Sequence, residues 1–329
     1  MSFLFAPIIS AIAFFVVYFV CPPLIRYLKN HGMTVNDVFK RDKNQVPRPG
    51  GIVIIVAIVA AELTLFFATM NYAILAILST TIIAFFIGFV DDKRVMPGFF
   101  KPGMLVAAAL PIILLGTYDF YLDFPLFGSA KIPLLYIGLI FIAISIAGNT
   151  VNSIDVLNGA ASGFVAIASV PLIITLFLQN KIDIAVAALP LLLTALAFYS
   201  YHKYPSRIFP GDSGTVAWGA MYGAIAIVGG IEVVATVALL PAIMNSFLYF
   251  VNVKRVATEH RKVKRAAMLS DNHDLIVASK ENDVPPTLVR LILANGPMHE
   301  RDIAKSIFKL AGFSAGLAIL TAILVGISL

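Results

Sequence analysis

Two aspartates, Asp91 and Asp92, stand side by side where a long apolar run of the sequence ends. Adjacent carboxylates repel one another and raise each other's pKa unless a cation neutralises them. The pair therefore indicates a site for a metal ion or a basic ligand. A charged cap at the end of an apolar helix is the alternative, since Lys93 and Arg94 follow directly.

A second group of polar residues recurs at every third position: Asn149, Asn152, Asp155 and Asn158. This spacing aligns side chains along one face of a helical turn. Carboxylate and amide oxygens suit a hard cation, and amides can also pair with the edge of a base. The alternative is a polar turn between apolar segments, but the strict register favours a binding site.

A glycine-rich turn surrounds Asp212, in the sequence Phe-Pro-Gly-Asp-Ser-Gly from 209 to 214. Gly211 and Gly214 permit a tight backbone at the start of a helix, where free N–H groups and the helix dipole favour a phosphate. Asp212 can also cap that helix, and capping does not exclude ligation. Further along, a basic cluster that includes His260 and Arg261 suits an anionic substrate or anionic lipid head groups.

The elements that must position these residues are membrane-spanning helices. The sequence is 60% hydrophobic and 13% charged, against about 25% charged in an average soluble domain. A run of roughly 20 apolar residues crosses the hydrocarbon core of a bilayer. Ten apolar runs lie at about 3–20, 51–69, 72–90, 104–117, 132–147, 160–178, 184–200, 214–229, 231–252 and 311–328. We therefore predict an all-α integral membrane protein of about ten transmembrane helices, forming one domain over residues 1–329.

The basic residues predict how the chain is oriented. With the connections between runs numbered from the N-terminus, the odd-numbered loops hold 22 of the 24 lysines and arginines, and only Lys131 and Lys181 lie elsewhere. By the positive-inside rule the odd loops are cytoplasmic and both termini are outside. The +6 net charge thus reflects orientation rather than a nucleic-acid partner. All the polar motifs fall on these cytoplasmic loops, of which the longest, 254–310, is expected to include a short interfacial helix.

Glu62 is the one clear acid inside a predicted span, where a lone carboxylate is costly and counts as a functional hypothesis by default. A secondary transporter would place its binding site near the membrane midplane, in helices broken by glycine or proline. Here the polar clusters lie at helix ends instead. The sequence therefore favours an enzyme at the membrane surface over a transporter, and it assigns Glu62 no partner.

Taken in order, these motifs resemble the polyprenyl-phosphate N-acetylhexosamine-1-phosphate transferases, and the likeness runs from about Gly32 to the last apolar run. Within that family the sequence is more similar to the branch that loads GlcNAc-phosphate onto dolichyl phosphate than to the bacterial muramyl-peptide branch. Three segments carry this preference: 204–209, 245–249 and 296–301. Two positions depart from the family pattern, since Val95 replaces an acidic or amide residue and His202 replaces an asparagine.

The resemblance implies a reaction in which N-acetylhexosamine-1-phosphate passes from a UDP-sugar to a polyprenyl or dolichyl phosphate, with release of UMP. It implies Mg²⁺ as the cofactor, with Mn²⁺ as a substitute, and a role in the first membrane step of lipid-linked glycan assembly. It places the protein in the cell membrane with a cytoplasmic active site, or in the endoplasmic reticulum of a eukaryote, and it is compatible with a homodimer. Direct attack by the lipid phosphate and a two-step route through an aspartate are both left open.

The resemblance also assigns roles to individual residues. The expected Mg²⁺ ligands are Asn152 and Asp212. The expected catalytic residues, near the lipid phosphate and the diphosphate, are Asp91, Asp92, Lys101 and His260. The expected substrate-binding residues are Lys40, Asp155, Asn158 on the uracil edge, and Arg261 on the sugar.

Overall fold

A computed structural model of the chain describes residues 2–40, 45–97, 100–252, 265–270, 275–281 and 284–326. Helices account for most of this part of the chain. They are α1 (Ala6–Asn30), α2 (Gly51–Thr69), α3 (Tyr72–Lys93), α4 (Phe100–Ala107), α5 (Leu110–Leu114), α6 (Pro133–Ser153), α7 (Ala160–Leu178), α8 (Ile182–Ala187), α9 (Leu189–His202), α10 (Gly211–Gly229), α11 (Glu232–Asn252), α12 (Leu288–Ile292) and α13 (Glu300–Val325).

Short antiparallel hairpins fill three of the connections. They pair β1 (Thr34–Asn36) with β2 (Gln45–Pro47), β3 (Tyr121–Phe124) with β4 (Gly128–Lys131), and β5 (Ala267–Leu269) with β6 (Ile276–Ala278). Other connections are tight turns. Met70 ends α2 in the left-handed region at φ 52°, and the Asn71 side chain then accepts the Ala73 N–H at 2.9 Å, which caps α3.

Eight helices in the described ranges are long and apolar enough to cross a bilayer, with α8 and α9 together forming one of them. They correspond to eight of the ten apolar runs. The run at 104–117 is a shorter apolar helix, Phe100–Leu114, and the run at 214–229 is α10, whose first turns are rich in glycine and polar residues. The prediction of an all-α, multi-pass membrane protein is confirmed, and the exact number of crossings stays a prediction.

Helix α10 lies in the middle of the bundle, against α2, α3 and α6, and nearly all of its residues are buried. Two glycines set how closely its neighbours approach. A Cβ on Gly219 would lie 2.3 Å from the Ala147 carbonyl oxygen of α6. A Cβ on Gly88 of α3 would lie 2.5 Å from the Asp212 carbonyl oxygen. Small residues at such crossings let helix backbones touch, so the end of α3 is held against the start of α10.

The loops separate onto two ends of the bundle. The odd-numbered loops carry the predicted site residues, and we call their side the charged end. At the other side, which we call the opposite end, the even-numbered loops meet. Here Asn71 Nδ2 donates to Asp183 Oδ2 at 3.0 Å, and Lys181 Nζ donates to the Gly229 carbonyl oxygen at 2.6 Å.

The first and last described residues lie at the opposite end. The Phe3 ring packs edge to face on Phe177, near the end of α7, with 6.3 Å between the ring centroids. The Leu126 N–H donates to the Leu324 carbonyl oxygen at 3.4 Å, which ties the end of α13 to the β3–β4 hairpin. Residues near both termini therefore lie on the same side of the bundle, and that both termini are outside stays a prediction.

The connection before α13 is described over residues 265–270, 275–281 and 284–299. Arg290 organises it, since its guanidinium donates to the carbonyl oxygens of Ser279 at 3.2 Å and Glu281 at 3.0 Å, and also to that of Val284. Helix α12 lies within the segment where an interfacial helix is predicted, and α13 begins at Glu300, eleven residues before the apolar run at 311. Elsewhere, Glu62 in α2 is fully buried, and neither carboxyl oxygen has a hydrogen-bond partner among the described residues.

Candidate active site

Asp91 and Asp92 lie in different surroundings at the end of α3. Asp91 contacts Lys101 of α4, with 2.9 Å between Oδ2 and Nζ, and its Oδ1 accepts the Met96 N–H at 2.6 Å. Asp92 is more deeply buried, with 3% of its side chain exposed. Successive residues of an α-helix are rotated by about 100°, so the two neighbouring carboxylates point to different partners.

Asp92 caps the start of α10. Its Oδ1 accepts the Asp212 N–H at 2.8 Å, and its Oδ2 accepts the Ser213 N–H at 3.0 Å and the Ser213 hydroxyl at 2.6 Å. These N–H groups are among those that a helix leaves unpaired at its N-terminus. The prediction that they are free for a phosphate is wrong, because the contact at Gly88 brings the end of α3 over the start of α10 and places a carboxylate there.

Asp212 stands between two cations. Arg48, which follows β2, places Nη2 2.7 Å from Asp92 Oδ1 and 3.3 Å from Asp212 Oδ2. Lys101 Nζ lies 3.5 Å from Asp212 Oδ1 and therefore bridges Asp91 and Asp212. The planar guanidinium offers several donors, which lets Arg48 contact two carboxylates at once. Asp212 keeps 23% of its side chain exposed, so a ligand can reach it.

Asn152 joins this group from the last turn of α6. In the orientation that satisfies both ends of its amide, Nδ2 donates to Asp212 Oδ1 at 2.8 Å and the amide oxygen accepts from Lys101 Nζ at 3.0 Å. The Thr215 hydroxyl lies 2.6 Å from the same amide nitrogen. Asn152 thereby links the carboxylate of Asp212 to the ammonium group of Lys101.

The three-residue spacing around Asn152 holds only in part. Asn149 and Asn152 lie on the last turn of α6, and Asp155 follows where the helix has ended. These three side chains line one cavity. Asn158 lies beyond the helix and lines a second cavity, together with Asn152 and Asp155 but not with Asn149, since a spacing of three aligns side chains only while the backbone stays helical.

We call Arg48, Asp91, Asp92, Lys101, Asp155 and Asp212 the charged cluster; it holds four carboxylates and two cations. Burial raises the pKa of the Asp155 carboxyl to about 7, with Arg48 opposing this shift and the carboxylates of Asp212 and Asp92 adding to it. Burial acts to lower the pKa of the Arg48 guanidinium, but Asp212 and Asp92 raise it overall. The excess of carboxylates over cations favours a further positive charge at this place.

The donor atoms here fit a divalent cation that is shared with a substrate. Asp212 offers carboxylate oxygens, whereas Asn152 would offer its amide oxygen only after the amide turns, since its nitrogen faces Asp212 in this structure. Mg²⁺ takes one or two carboxylates together with waters and phosphate oxygens. Within the described part of the chain, no three Asp, Glu, His or Cys side chains group into a metal site. Coordination at this place therefore requires oxygens from phosphate and water, and Asn152 and Asp212 stay the predicted ligands.

A second polar network lies beside the charged cluster. Glu300, at the start of α13, accepts from Lys40 Nζ at 2.8 Å through Oε2 and from the Asn158 N–H at 2.8 Å through Oε1. Asn158 Nδ2 in turn donates to Asp37 Oδ2 at 2.9 Å. Lys40 Nζ also lies 3.6 Å from the centroid of the Tyr204 ring. Burial acts to lower the pKa of Lys40, but the bond to Glu300 raises it overall.

Two cavities meet at the charged cluster. The Asn158 cavity has a volume of about 430 Å³ and includes Asp37, Arg48, Asn158 and Glu300 in its wall. The Met96 cavity has a volume of about 630 Å³, and its wall includes Asp91 and Lys101 beside many apolar side chains. Asn152, Asp155 and Asp212 line both cavities, whereas Asp92 lines neither. The shared wall is where two bound molecules would meet.

His202, one of the departures from the family pattern, ends α9 at the edge of the Asn158 cavity. Its Nδ1 lies 2.9 Å from the Ser162 hydroxyl, and its Nε2 lies 3.5 Å from Asp155 Oδ1. The imidazole is buried, with its ring centroid 5.7 Å from that of Phe198 and 6.1 Å from that of Phe209. His202 therefore fixes the wall behind Asp155 instead of standing on an exposed loop.

The structure brings most of the predicted site residues together. Eight lie around the two cavities: Lys40, Asp91, Asp92, Lys101, Asn152, Asp155, Asn158 and Asp212. His260 and Arg261 lie outside the described residues. The roles assigned to all ten predicted site residues stay predictions.

Sequence reasoning missed two charged members of the site. Arg48 had counted toward the basic balance of its loop and toward the resemblance of segment 47–51 to the family's first cytoplasmic loop, and Glu300 only toward the resemblance of segment 296–301. Arg48 contacts Asp92, 44 residues away, and Glu300 contacts Asn158, 142 residues away. No local spacing reveals such contacts, and the only signal was their position inside segments that resemble the family.

Comparison with known proteins supports the family that the sequence motifs resemble. The family model described as glycosyl transferase family 4 matches residues 74–230, a segment that contains all of α4 to α10 and most of α3. A phospho-N-acetylmuramoyl-pentapeptide-transferase of Chlamydia abortus is 32% identical over 260 residues, which cover 67% of this chain and 73% of that protein. The fold and these matches define a multi-pass membrane protein of the glycosyltransferase class.

Archaeal proteins are also similar. A protein of Saccharolobus solfataricus with the provisional name UDP-N-acetylglucosamine–dolichyl-phosphate N-acetylglucosaminephosphotransferase is 26% identical over 242 residues, covering 72% of this chain and 75% of that protein. A provisionally named glycosyltransferase of Methanocaldococcus jannaschii is 27% identical over 292 residues, covering 88% of each chain. The chain belongs to glycosyl transferase family 4, the polyprenyl-phosphate hexosamine-1-phosphate transferases that its motifs resemble.

Proposed function

We propose that the protein transfers N-acetylglucosamine-1-phosphate from UDP-N-acetylglucosamine to a polyprenyl phosphate of the dolichyl type. The products are polyprenyl-diphospho-N-acetylglucosamine and UMP. The observation that carries this proposal is the shared wall of Asn152, Asp155 and Asp212 between a polar cavity and a cavity with many apolar side chains. A transferase with one water-soluble and one lipid substrate needs such a pair of sites.

The two substrates are assigned to the cavities by their chemistry. The Asn158 cavity, with its amides and charges, suits the nucleotide of the donor. The Met96 cavity, with Lys101 beside apolar side chains, suits the phosphate and first isoprene units of the acceptor. Both phosphates then face Asp212 and Asn152 from opposite sides, which is the positioning that an in-line displacement requires.

The reaction needs little acid–base chemistry from the protein. A phosphate monoester has a second pKa of about 6, so much of the acceptor is already a dianionic nucleophile near neutral pH. One of its oxygens attacks the sugar-bearing phosphorus, the new P–O bond forms, and the bond from that phosphorus to the oxygen of UMP breaks. UMP leaves with the electron pair. The main barrier is the approach of two anions, which Lys101 and Arg48 lower by neutralising charge.

Mg²⁺, held by Asp212 and Asn152, would supply the remaining positive charge that the diphosphate needs. Asp92 does not touch a substrate in this proposal, because its two oxygens are engaged by α10 and Arg48. It is a positioning residue that holds Asp212 in place. A covalent route through Asp92 would have to break these bonds first, and this supports direct attack by the lipid phosphate.

The choice of N-acetylglucosamine has two supports. Segments 204–209, 245–249 and 296–301 resemble the dolichyl branch of the family. The relatives from Saccharolobus solfataricus and Sulfolobus acidocaldarius carry the provisional name of UDP-N-acetylglucosamine–dolichyl-phosphate transferases. Other relatives are named for the muramoyl-pentapeptide substrate, so the sugar has to be tested directly.

The test is UMP release by the purified chain in detergent, with Mg²⁺, polyprenyl phosphate and a panel of UDP-sugars. We expect turnover with UDP-N-acetylglucosamine to exceed turnover with UDP-N-acetylmuramoyl-pentapeptide by at least about 100-fold, because the sugars differ by a large peptide that one site cannot fit equally well. A preference for the muramoyl donor would overturn the choice of sugar. Release of no UMP from any donor would overturn the proposed function.

We place the charged end in the cytoplasm, as the distribution of lysine and arginine predicts. Labelling tests this. Lys203 lies exposed at the charged end, and Cys21 is the one native cysteine. In a Cys21→Ala background, Lys203→Cys should react with a membrane-impermeant maleimide only in inside-out vesicles. Reaction in right-side-out vesicles would reverse the orientation.

A further inference from the structure

Asn158 lies in the wall of the Asn158 cavity and is held there by two hydrogen bonds that it donates. Its Nδ2 donates to Asp37 Oδ2 at 2.9 Å, and its backbone N–H donates to Glu300 Oε1 at 2.8 Å. The residue is 4% exposed. Its side-chain oxygen is buried and has no hydrogen-bond partner among the described residues.

Asp37 dictates this orientation. A carboxylate accepts hydrogen bonds and cannot donate them, so the amide nitrogen of Asn158 must face it and the amide oxygen must face away. Asp37 is itself held, because it is 5% exposed and its Oδ1 accepts the Phe39 N–H at 3.2 Å. Asn158 therefore cannot exchange its oxygen and nitrogen at low cost, and its amide oxygen is a fixed acceptor in a residue of the cavity wall.

A buried acceptor without a partner favours a ligand that donates an N–H to it. Both Asp37 and Asn158 line the Asn158 cavity, whose volume of about 430 Å³ lies in the range that holds small ligands. Uracil has an N–H at ring position 3, between two carbonyl groups. Cytosine has a lone pair at the same ring position, which would face the lone pairs of the Asn158 oxygen.

We propose that Asp37 is a specificity-determining, positioning residue that locks the Asn158 amide as an acceptor and thereby selects a uracil nucleotide over a cytosine nucleotide. The inference rests on the proposed function, since it assigns the nucleotide of the donor to the Asn158 cavity. Asp37 acts through Asn158 and need not touch the base. Its contribution is thus to the ratio of two affinities rather than to affinity alone.

Binding of UDP and CDP to the full chain in detergent, measured by calorimetry, tests this. We expect the wild type to bind UDP at least about 100-fold more tightly than CDP, since a site built for a hydrogen-bond donor rejects a ligand that lacks it. Asp37→Asn has nearly the same shape but can donate as well as accept. This substitution removes the constraint on the Asn158 amide, which can then reverse. It should lower the ratio of the CDP dissociation constant to the UDP dissociation constant by at least about tenfold.

The matched control is Asp302→Asn, the same change at an exposed carboxylate of α13, which should leave both dissociation constants and their ratio unchanged. A merely structural role for Asp37 predicts that Asp37→Asn weakens both nucleotides by the same factor. An unchanged ratio would therefore overturn the proposal.

A second measurement uses the wild type alone and does not depend on how the variant folds. UDP methylated at ring position 3 lacks the N–H, and we expect it to bind at least about tenfold more weakly than UDP. Equal binding of the two would overturn the inference. Failure of the wild type to bind UDP at all would instead count against the proposed function, so the two outcomes can be told apart.

Discussion

The two ends of the bundle both carry polar residues, but they use them differently. At the opposite end the polar groups form separate pairs that join neighbouring helices, such as Asn71 with Asp183 and Tyr136 with Glu232. At the charged end four carboxylates and two cations share contacts, so that Asp212 interacts with both Arg48 and Lys101. The arrangement at the opposite end connects helices. The arrangement at the charged end holds more carboxylates than cations within one cluster.

Cavity size alone would not distinguish the two ends. A cavity of about 780 Å³ lies at the opposite end, larger than either cavity at the charged end, and Asn71, Lys181 and Asp183 are in its wall. What sets the charged end apart is the charged cluster, in which carboxylates outnumber cations and share contacts with them. A cluster of charges that is not balanced within itself indicates a ligand, whereas separate polar pairs between helices indicate a structural role.

The largest expected effect is a difference in kcat between variants of Asp212, at the charged end, and of Asp183, at the opposite end. Asp212→Ala should lower kcat for UMP release by about 10²- to 10³-fold, because it removes a charged group next to the developing charge. Asp183→Ala at the opposite end is the control and should keep kcat within about twofold of the wild type. Steady-state UMP release measures both. An Asp212→Ala variant that keeps half of its activity would contradict the metal assignment.

The next effect concerns stability within the charged end. Asp92→Ala should lower the free energy of unfolding by about 3 kcal/mol, because it removes the cap of α10 and a buried partner of Arg48. Asp91→Ala should cost about 1 kcal/mol, since Lys101 keeps Asp212 as a partner. Unfolding titrations in detergent check the pair. Equal losses for the two variants would show that the adjacent carboxylates do not differ as described.

A smaller effect is expected at the cation of the Met96 cavity. Lys101→Ala should lower kcat/KM for polyprenyl phosphate by about 10- to 100-fold, because it removes one positive charge from the approach of two anions. Lys101→Arg keeps the charge and should recover part of the loss. Lys181→Ala, at the opposite end, is the matched control. The assignment of the acceptor to this cavity fails if Lys101→Ala leaves the acceptor kinetics unchanged.

The smallest expected effect, taken per pH unit, is a pH dependence of the free energy of unfolding. The pKa of Asp155 is raised in the folded chain from an ordinary value of 3.8 to about 7. Between these values the folded chain binds a proton that the unfolded chain has released, so this group's contribution to stability is lost as the pH rises through that window. Asp155→Asn should remove a slope of at most about 1.4 kcal/mol per pH unit. Parallel stability profiles of wild type and variant from pH 4.5 to 7.5 would contradict this.

Much of the fold could be predicted because hydrocarbon imposes one rule on every span. Eight of the apolar runs became helices that can cross a bilayer, since a chain in lipid must satisfy its own backbone hydrogen bonds. The exceptions have physical reasons. Helix α10 is surrounded by other helices, so it needs close packing at residues such as Gly219 more than an apolar surface. The segment Phe100–Leu114 is shorter than a full span.

The site could be predicted as a set of residues but not as a geometry. The sequence pointed to Asp91 and Asp92 as equals, and only the packing of α3 on α10 shows that Asp92 caps α10 while Asp91 contacts Lys101. It likewise could not show that Asp37 fixes the amide of Asn158, because that bond joins residues 121 apart. Roles that depend on contacts between distant loops require the fold itself.

The central claim is that one site at the charged end joins two substrates in a single displacement. Single-turnover UMP release, measured with UDP-N-acetylglucosamine in the presence and absence of polyprenyl phosphate, tests it most directly. Direct attack predicts that UMP appears only when the acceptor is present, in an amount equal to the polyprenyl-diphospho-sugar formed. A burst of UMP equal to the amount of protein, with the acceptor withheld, would contradict it and would indicate a phospho-sugar intermediate on an aspartate.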